Sequence, residues 1–126
     1  MAEETSGRAP LRAVGKRVLV VDDDRDIREL LVEFLASEGY DVASAPDGRR
    51  ALAEARAHRP DVILLDLMMP IMSGWEFREA QLGDPELADI PVVVVTAFEE
   101  SLDGTELLRK PFLVEDVLDA VQRLAA

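Results

Sequence analysis

The 126-residue chain contains no cysteine and a single histidine. Without thiols there is no disulfide framework, no thiolate metal site and no thiol nucleophile. One imidazole cannot surround a metal. Positive charge is also scarce: 14 Lys and Arg stand against 26 Asp and Glu, a net charge of -12. Such a surface repels a phosphate backbone or an anionic bilayer, so neither nucleic acid nor membrane is expected as a partner. No apolar run comes near the roughly 20 residues that cross a bilayer. The opening stretch MAEETSGRAPLRAVGK lacks the apolar segment of a secretory leader. The expectation is a cytoplasmic protein. What the chain does have is a 48% hydrophobic fraction, enough for a core, and a length that suits one domain.

Residues 1–16 mix Gly, Pro, Ser, Arg and Glu without periodicity and read as a disordered tail, leaving 17–126 as the folded domain. Three unbroken aliphatic runs then stand out: Val18-Leu19-Val20-Val21 before Asp22, Val62-Ile63-Leu64-Leu65 before Asp66, and Val92-Val93-Val94-Val95 before Thr96. Runs without polar alternation suit strands buried on both faces of a parallel sheet. Val42–Ala45 and Leu107-Leu108 are weaker strand candidates. Between them lie helical patterns. Ile27, Leu30, Leu31, Phe34 and Leu35 form one stripe, with Asp24 as N-cap and Gly39 as stop. An Ala-rich helix over 47–58 ends before Pro60, a third spans 74–82, and a last stripe runs through Val114, Val117, Leu118, Val121 and Leu124. Alternating strands and helices predict a doubly wound, flavodoxin-like α/β fold with five parallel strands in the order 2-1-3-4-5.

That order makes the first and third strands neighbours where the winding reverses, and ligands in such sheets sit outside the carboxyl ends of the strands. Asp22, Asp23, Asp66, Thr96 and Lys110 all fall there. Three close carboxylates repel one another unless a cation lies among them. An all-oxygen donor set favours a hard ion, with Mg²⁺ the default. A dication beside a hydroxyl and an ammonium forms a receptacle for a phosphoryl group, which a carboxylate can accept covalently.

The stretches VLVVDDD (18–24), DVILLDLMMPIMSG (61–74), PVVVVTA (91–97) and KPF (110–112) resemble the receiver domains of two-component response regulators. The resemblance covers residues 17–126. It implies Asp66 as phospho-acceptor, Asp23 as a direct Mg²⁺ ligand, Asp22 as a ligand through water, and the Met68 backbone carbonyl as a further ligand. Thr96 and Lys110 match the switch hydroxyl and the phosphate-pairing lysine. A sensor histidine kinase is the implied donor, and a stand-alone module, monomeric or weakly dimeric, the implied form. The resemblance also implies a cis Lys110-Pro111 bond. Met68 and Phe98, two residues beyond Asp66 and Thr96, flank the path of hydrolytic water in that family.

Two other readings compete. Asp22-x-Asp24 after a buried strand mimics the nucleophile motif of haloacid-dehalogenase-like phosphatases, with Asp22 attacking. A pseudo-receiver that binds partners without phosphorylation is the other. His58 reads as a solvated cation at a helix end, and Trp75 as packing over the Asp66 loop. The sequence departs from the receiver pattern between Thr96 and Lys110. Apart from Leu107-Leu108-Arg109, only about ten residues remain there, interrupted by Gly104. The fourth helix of the family is therefore expected to be reduced or absent, leaving a thinly covered apolar strip on the sheet. Leu107 occupies the place where the family usually carries an aromatic switch residue. Partners are accordingly expected on the first helix and the loops around Asp66 and Thr96, or on that strip.

Overall fold

A computed structural model describes residues 15–100 and 102–126 of the protein. The tail expected over 1–16 lies almost entirely outside the described residues. The elements follow the alternation read from the sequence: β1 (Arg17–Val21), α1 (Arg25–Ser37), β2 (Asp41–Ala45), α2 (Gly48–His58), β3 (Val62–Leu65), α3 (Gly74–Leu82), β4 (Val92–Thr96), β5 (Glu106–Arg109) and α4 (Val114–Leu124). All four strand pairings are parallel and the order is β2-β1-β3-β4-β5, as predicted.

The aliphatic runs pack both faces of the sheet. Val18, Val20, Val62, Leu64, Val93 and Val95 share one core with Leu31 and Leu35 of α1 and Val117 and Val121 of α4. Leu19, Val21, Ile63, Leu65, Val92 and Val94 share the other with Ala51, Leu52 and Ala55 of α2 and Phe77 of α3. Each such side chain contributes roughly 1.5–3 kcal/mol on burial, so the two-sided core fixes the register of the central strands.

The helices start where the sequence places caps. The Asp24 carboxylate accepts the N–H groups of Asp26 and Ile27, and Asp47 accepts that of Arg50. Ser73 and Glu76 form a reciprocal capping box at α3. His58 does end α2, but its ring is half-buried, with Nε2 3.3 Å from the Asp41 carbonyl oxygen. That contact links the helix end to β2, at the exposed surface.

Among the described residues between β4 and β5 there is no helix. A turn at Asp103-Gly104 replaces it, with Gly104 at φ 76°, closed by the Thr105 N–H and hydroxyl, which both donate to the Leu102 carbonyl at 3.1 and 2.6 Å. The reduced helix is as expected, but the bare strip is not. Every residue of β4 is buried. Ile90, Leu102 and Leu107 pack against the core that contains Val92, Val94 and Phe77, and so close the sheet face that a helix would otherwise cover.

Candidate functional site

The parallel ladder runs one residue past β1, β3 and β5, and each extra residue is polar. The Asp22 N–H donates to the Ala45 carbonyl at 3.1 Å, that of Asp66 to Val21 at 2.9 Å, and that of Lys110 to Thr96 at 2.8 Å. Backbone pairing therefore delivers three side chains to one edge of the sheet. Asp22, Asp66 and Thr96 are buried there, while Asp23 is exposed. One carboxylate oxygen from each of Asp22, Asp23 and Asp66 lies within 4.8 Å of the others. The three carboxylates read from separated stretches of sequence are thus close in space.

Lys110 closes it. Its Nζ lies 2.8 Å from Asp22 Oδ2 and 3.3 Å from Asp66 Oδ2. The Lys110-Pro111 peptide is cis, as expected. Burial is the largest influence at Asp22 and lifts its pKa above the usual carboxylate value. Hydrogen bonds from Lys110 and the Asp24 N–H oppose this, and the Asp66 charge adds to it. Burial by itself would lower the pKa of Lys110, but the Asp22 hydrogen bond and the two negative charges outweigh it and hold the ammonium above the ordinary lysine value.

The Asp22 and Asp66 carboxylates are each oriented by a backbone donor. Asp22 Oδ1 accepts the Asp24 N–H at 2.9 Å, so both of its oxygens already have partners. Asp66 Oδ1 accepts the Leu67 N–H at 2.8 Å. The Thr96 hydroxyl oxygen is 3.4 Å from the Phe98 N–H, a weak contact that leaves its proton available to another acceptor. Met68 and Phe98 are 53% and 43% exposed. Trp75 is the second residue of α3 and keeps about a third of its surface exposed.

The chain matches the response regulator receiver domain family over residues 18–122. It belongs to that family. It is 40% identical over 118 residues to the response regulator MprA of Mycolicibacterium vanbaalenii, which covers 86% of this chain and 49% of that protein. It is 38% identical over 116 residues to the DNA-binding dual master transcriptional regulator RpaA of Synechocystis, again 86% of this chain and 48% of the relative. The receiver thus spans about half the length of these relatives. Among solved structures, the chemotaxis protein CheY4 of Vibrio cholerae superposes with a TM-score of 0.80 at 36% identity, covering 86% of this chain and 98% of that one.

Three residues around this site had no role assigned from the sequence. Gly74 brings α3 against the end of β3: its N–H donates to the Leu67 carbonyl at 2.9 Å, and a Cβ there would collide with the Asp66 carbonyl oxygen. Ile71, between Asp66 and α3, holds φ 69° and is 76% exposed. A β-branched residue in the left-handed region is strained. Arg28 of α1 reaches back to the Asp22 carbonyl, Nη1 to O 2.8 Å. A glycine after a serine cap is a recognisable signal for the first. Nothing in the sequence marks the other two, because both depend on where the chain folds back.

The phosphatase reading loses its second carboxylate here. Asp24 Oδ1 accepts the Asp26 and Ile27 N–H groups at 2.9 and 3.3 Å, which makes it the cap of α1 rather than an acid facing the cluster.

Proposed function

We propose that this receiver accepts a phosphoryl group on Asp66 from the phosphohistidine of a sensor histidine kinase. The observation that carries this is a buried carboxylate within reach of one ammonium, Lys110, and flanked by two further carboxylates. In the reaction an Asp66 oxygen attacks phosphorus. The phosphorus–nitrogen bond to imidazole breaks, and its electron pair stays on the ring nitrogen. Lys110 faces the oxygen side of the acceptor and neutralises charge gathered on the transferring group, while the Thr96 hydroxyl donates to one of its oxygens.

The donor set fits a hard dication: all its members are oxygen, and a cation among them offsets the burial that raises the Asp22 pKa and the smaller repulsion from Asp66. Mg²⁺ would be held by Asp23, Asp66 and the Met68 carbonyl, with Asp22 acting through water. When bound, it supplies charge neutralisation to the phosphoryl group. Met68 and Phe98, apolar, half-exposed and two residues beyond Asp66 and Thr96, offer no group to orient a hydrolytic water. The aspartyl phosphate is accordingly long-lived. At a net charge of -12 this segment does not itself bind nucleic acid, and among the described residues no helix is long and apolar enough to cross a membrane. The reading is a cytoplasmic phosphorelay domain, monomeric or weakly dimeric, whose switched surface serves a downstream protein.

Incubation with acetyl phosphate and Mg²⁺ should add one phosphoryl group, detected by intact-mass spectrometry, and Asp66→Asn should abolish the gain without unfolding the chain. Labelling that survives Asp66→Asn and disappears in Asp22→Asn would establish the phosphatase chemistry instead. A folded wild type that is never labelled would make this a pseudo-receiver.

A further inference from the structure

Asp23 sits in the turn between β1 and α1, exposed, with no strand ladder to hold it. Its position depends on the two peptide planes around it. Arg28 holds the first and Asp22 the second. The Arg28 guanidinium Nη1 donates to the Asp22 carbonyl at 2.8 Å, and the Asp24 N–H donates to Asp22 Oδ1 at 2.9 Å. The side chain of one residue on the first turn of α1 therefore grips the carbonyl immediately before Asp23.

The Asp22 carbonyl lies where β1 has ended, and a strand-end carbonyl without a partner turns toward water. A charged donor holds it more firmly than a neutral one. The opposite face of the same residue is also fixed, by the Asp22 N–H on Ala45 and by Asp24 and Lys110 on the carboxylate. With all of those in place, the Asp22–Asp23 peptide is the remaining hinge through which the Asp23 carboxylate could swing out of the cluster.

We infer that Arg28 is a positioning residue for the cation site: it locks the Asp22–Asp23 peptide so that the Asp23 carboxylate meets those of Asp22 and Asp66. This rests on the proposed Mg²⁺ site. Partners that orient metal ligands without touching the metal typically change affinity 10- to 100-fold when removed. The sign is diagnostic. Arg28 carries a positive charge near the site, so if charge alone mattered, its removal would tighten cation binding. Loss of positioning does the reverse.

The experiment titrates Mg²⁺ into the full chain, following Trp75 fluorescence and calorimetric heat, for wild type, Arg28→Met and Arg28→Lys. Arg28→Met should raise the Mg²⁺ Kd about tenfold, and Arg28→Lys, which keeps the charge and a shorter donor, should recover part of the loss. Melting curves in EDTA establish that the variants remain folded. Should Met at this half-buried position destabilise the fold, Arg28→Gln replaces it: polar, neutral and too short to reach the Asp22 carbonyl, it should weaken binding equally. An unchanged or tighter Kd in a folded Met or Gln variant, beside a wild type that binds, overturns the role of Arg28 alone. A wild type without any response to Mg²⁺ overturns the metal site and this inference together.

Discussion

Two crossovers cover the same side of the sheet, and they do it differently. From β3 to β4 the chain builds α3, with a capping box at its start and Phe77 and Gln81 fully buried. Gln81 Nε2 donates to the carbonyls of Leu87 and Ile90 at 2.9 and 3.0 Å, pinning the return segment to the helix. From β4 to β5 the described residues form only a turn, and its cover is borrowed: Leu102 and Leu107 pack inward, and Arg78 of α3 reaches across to the Asp103 carbonyl at 3.3 Å. The same guanidinium donates to Gln81 Oε1 at 2.8 Å. A long crossover can carry its own amphipathic helix, whereas one of nine residues (97–105) is below the usual dozen and must lean on its neighbour. The second crossover is thus stable only because the first one is.

The dependence should run one way. Phe77→Ala, which hollows the core beneath both crossovers, should cost about 3–5 kcal/mol in urea unfolding. It should also loosen the 97–105 segment in hydrogen exchange. A loss confined to α3 would break the comparison. Arg78→Met keeps the aliphatic stem but leaves the buried Gln81 Oε1 without its donor, at a cost of about 1–2 kcal/mol. Faster exchange should appear around Asp103–Thr105 first.

Lys110 offers a third lever, since the helix-less crossover delivers it to the site. Its folded-state pKa stands above the ordinary lysine value, burial being outweighed by Asp22 and Asp66. The stabilisation is therefore complete below that ordinary value and is lost as pH rises through the raised one. Urea midpoints of the metal-free protein should fall in this alkaline window, and Lys110→Met should flatten that fall.

The smallest effect is at Ile71. It packs little surface, at 76% exposed, and holds a left-handed φ of 69°. Ile71→Gly should raise stability by up to about 1 kcal/mol. A destabilised glycine variant would show that the side chain has packing value after all.

The sequence by itself determined the doubly wound sheet, because four-residue aliphatic runs can be satisfied only between two covered faces, and the period of the intervening stripes leaves only helices to cover them. It also determined which side chains meet. Strand length plus one places Asp22, Asp66 and Lys110 at the carboxyl edge wherever the helices lie, so the meeting of these three was legible from motif and order alone. The shortness of 97–105 was equally plain. The consequence drawn from it, an uncovered apolar strip, was not correct. Whether Leu102, Leu107 and Arg78 close over β4 depends on the spacing of α3 from the 102–105 turn, and no local pattern encodes a distance between segments 25 residues apart, as Arg78 and Asp103 are. Arg28 and Ile71 belong to the same class. A donor reaching back six residues to a strand-end carbonyl and a strained residue in a loop are set by how the elements dock. Only the tertiary structure decided them, because hydrogen bonds between distant segments and backbone strain arise from packing rather than from residue order.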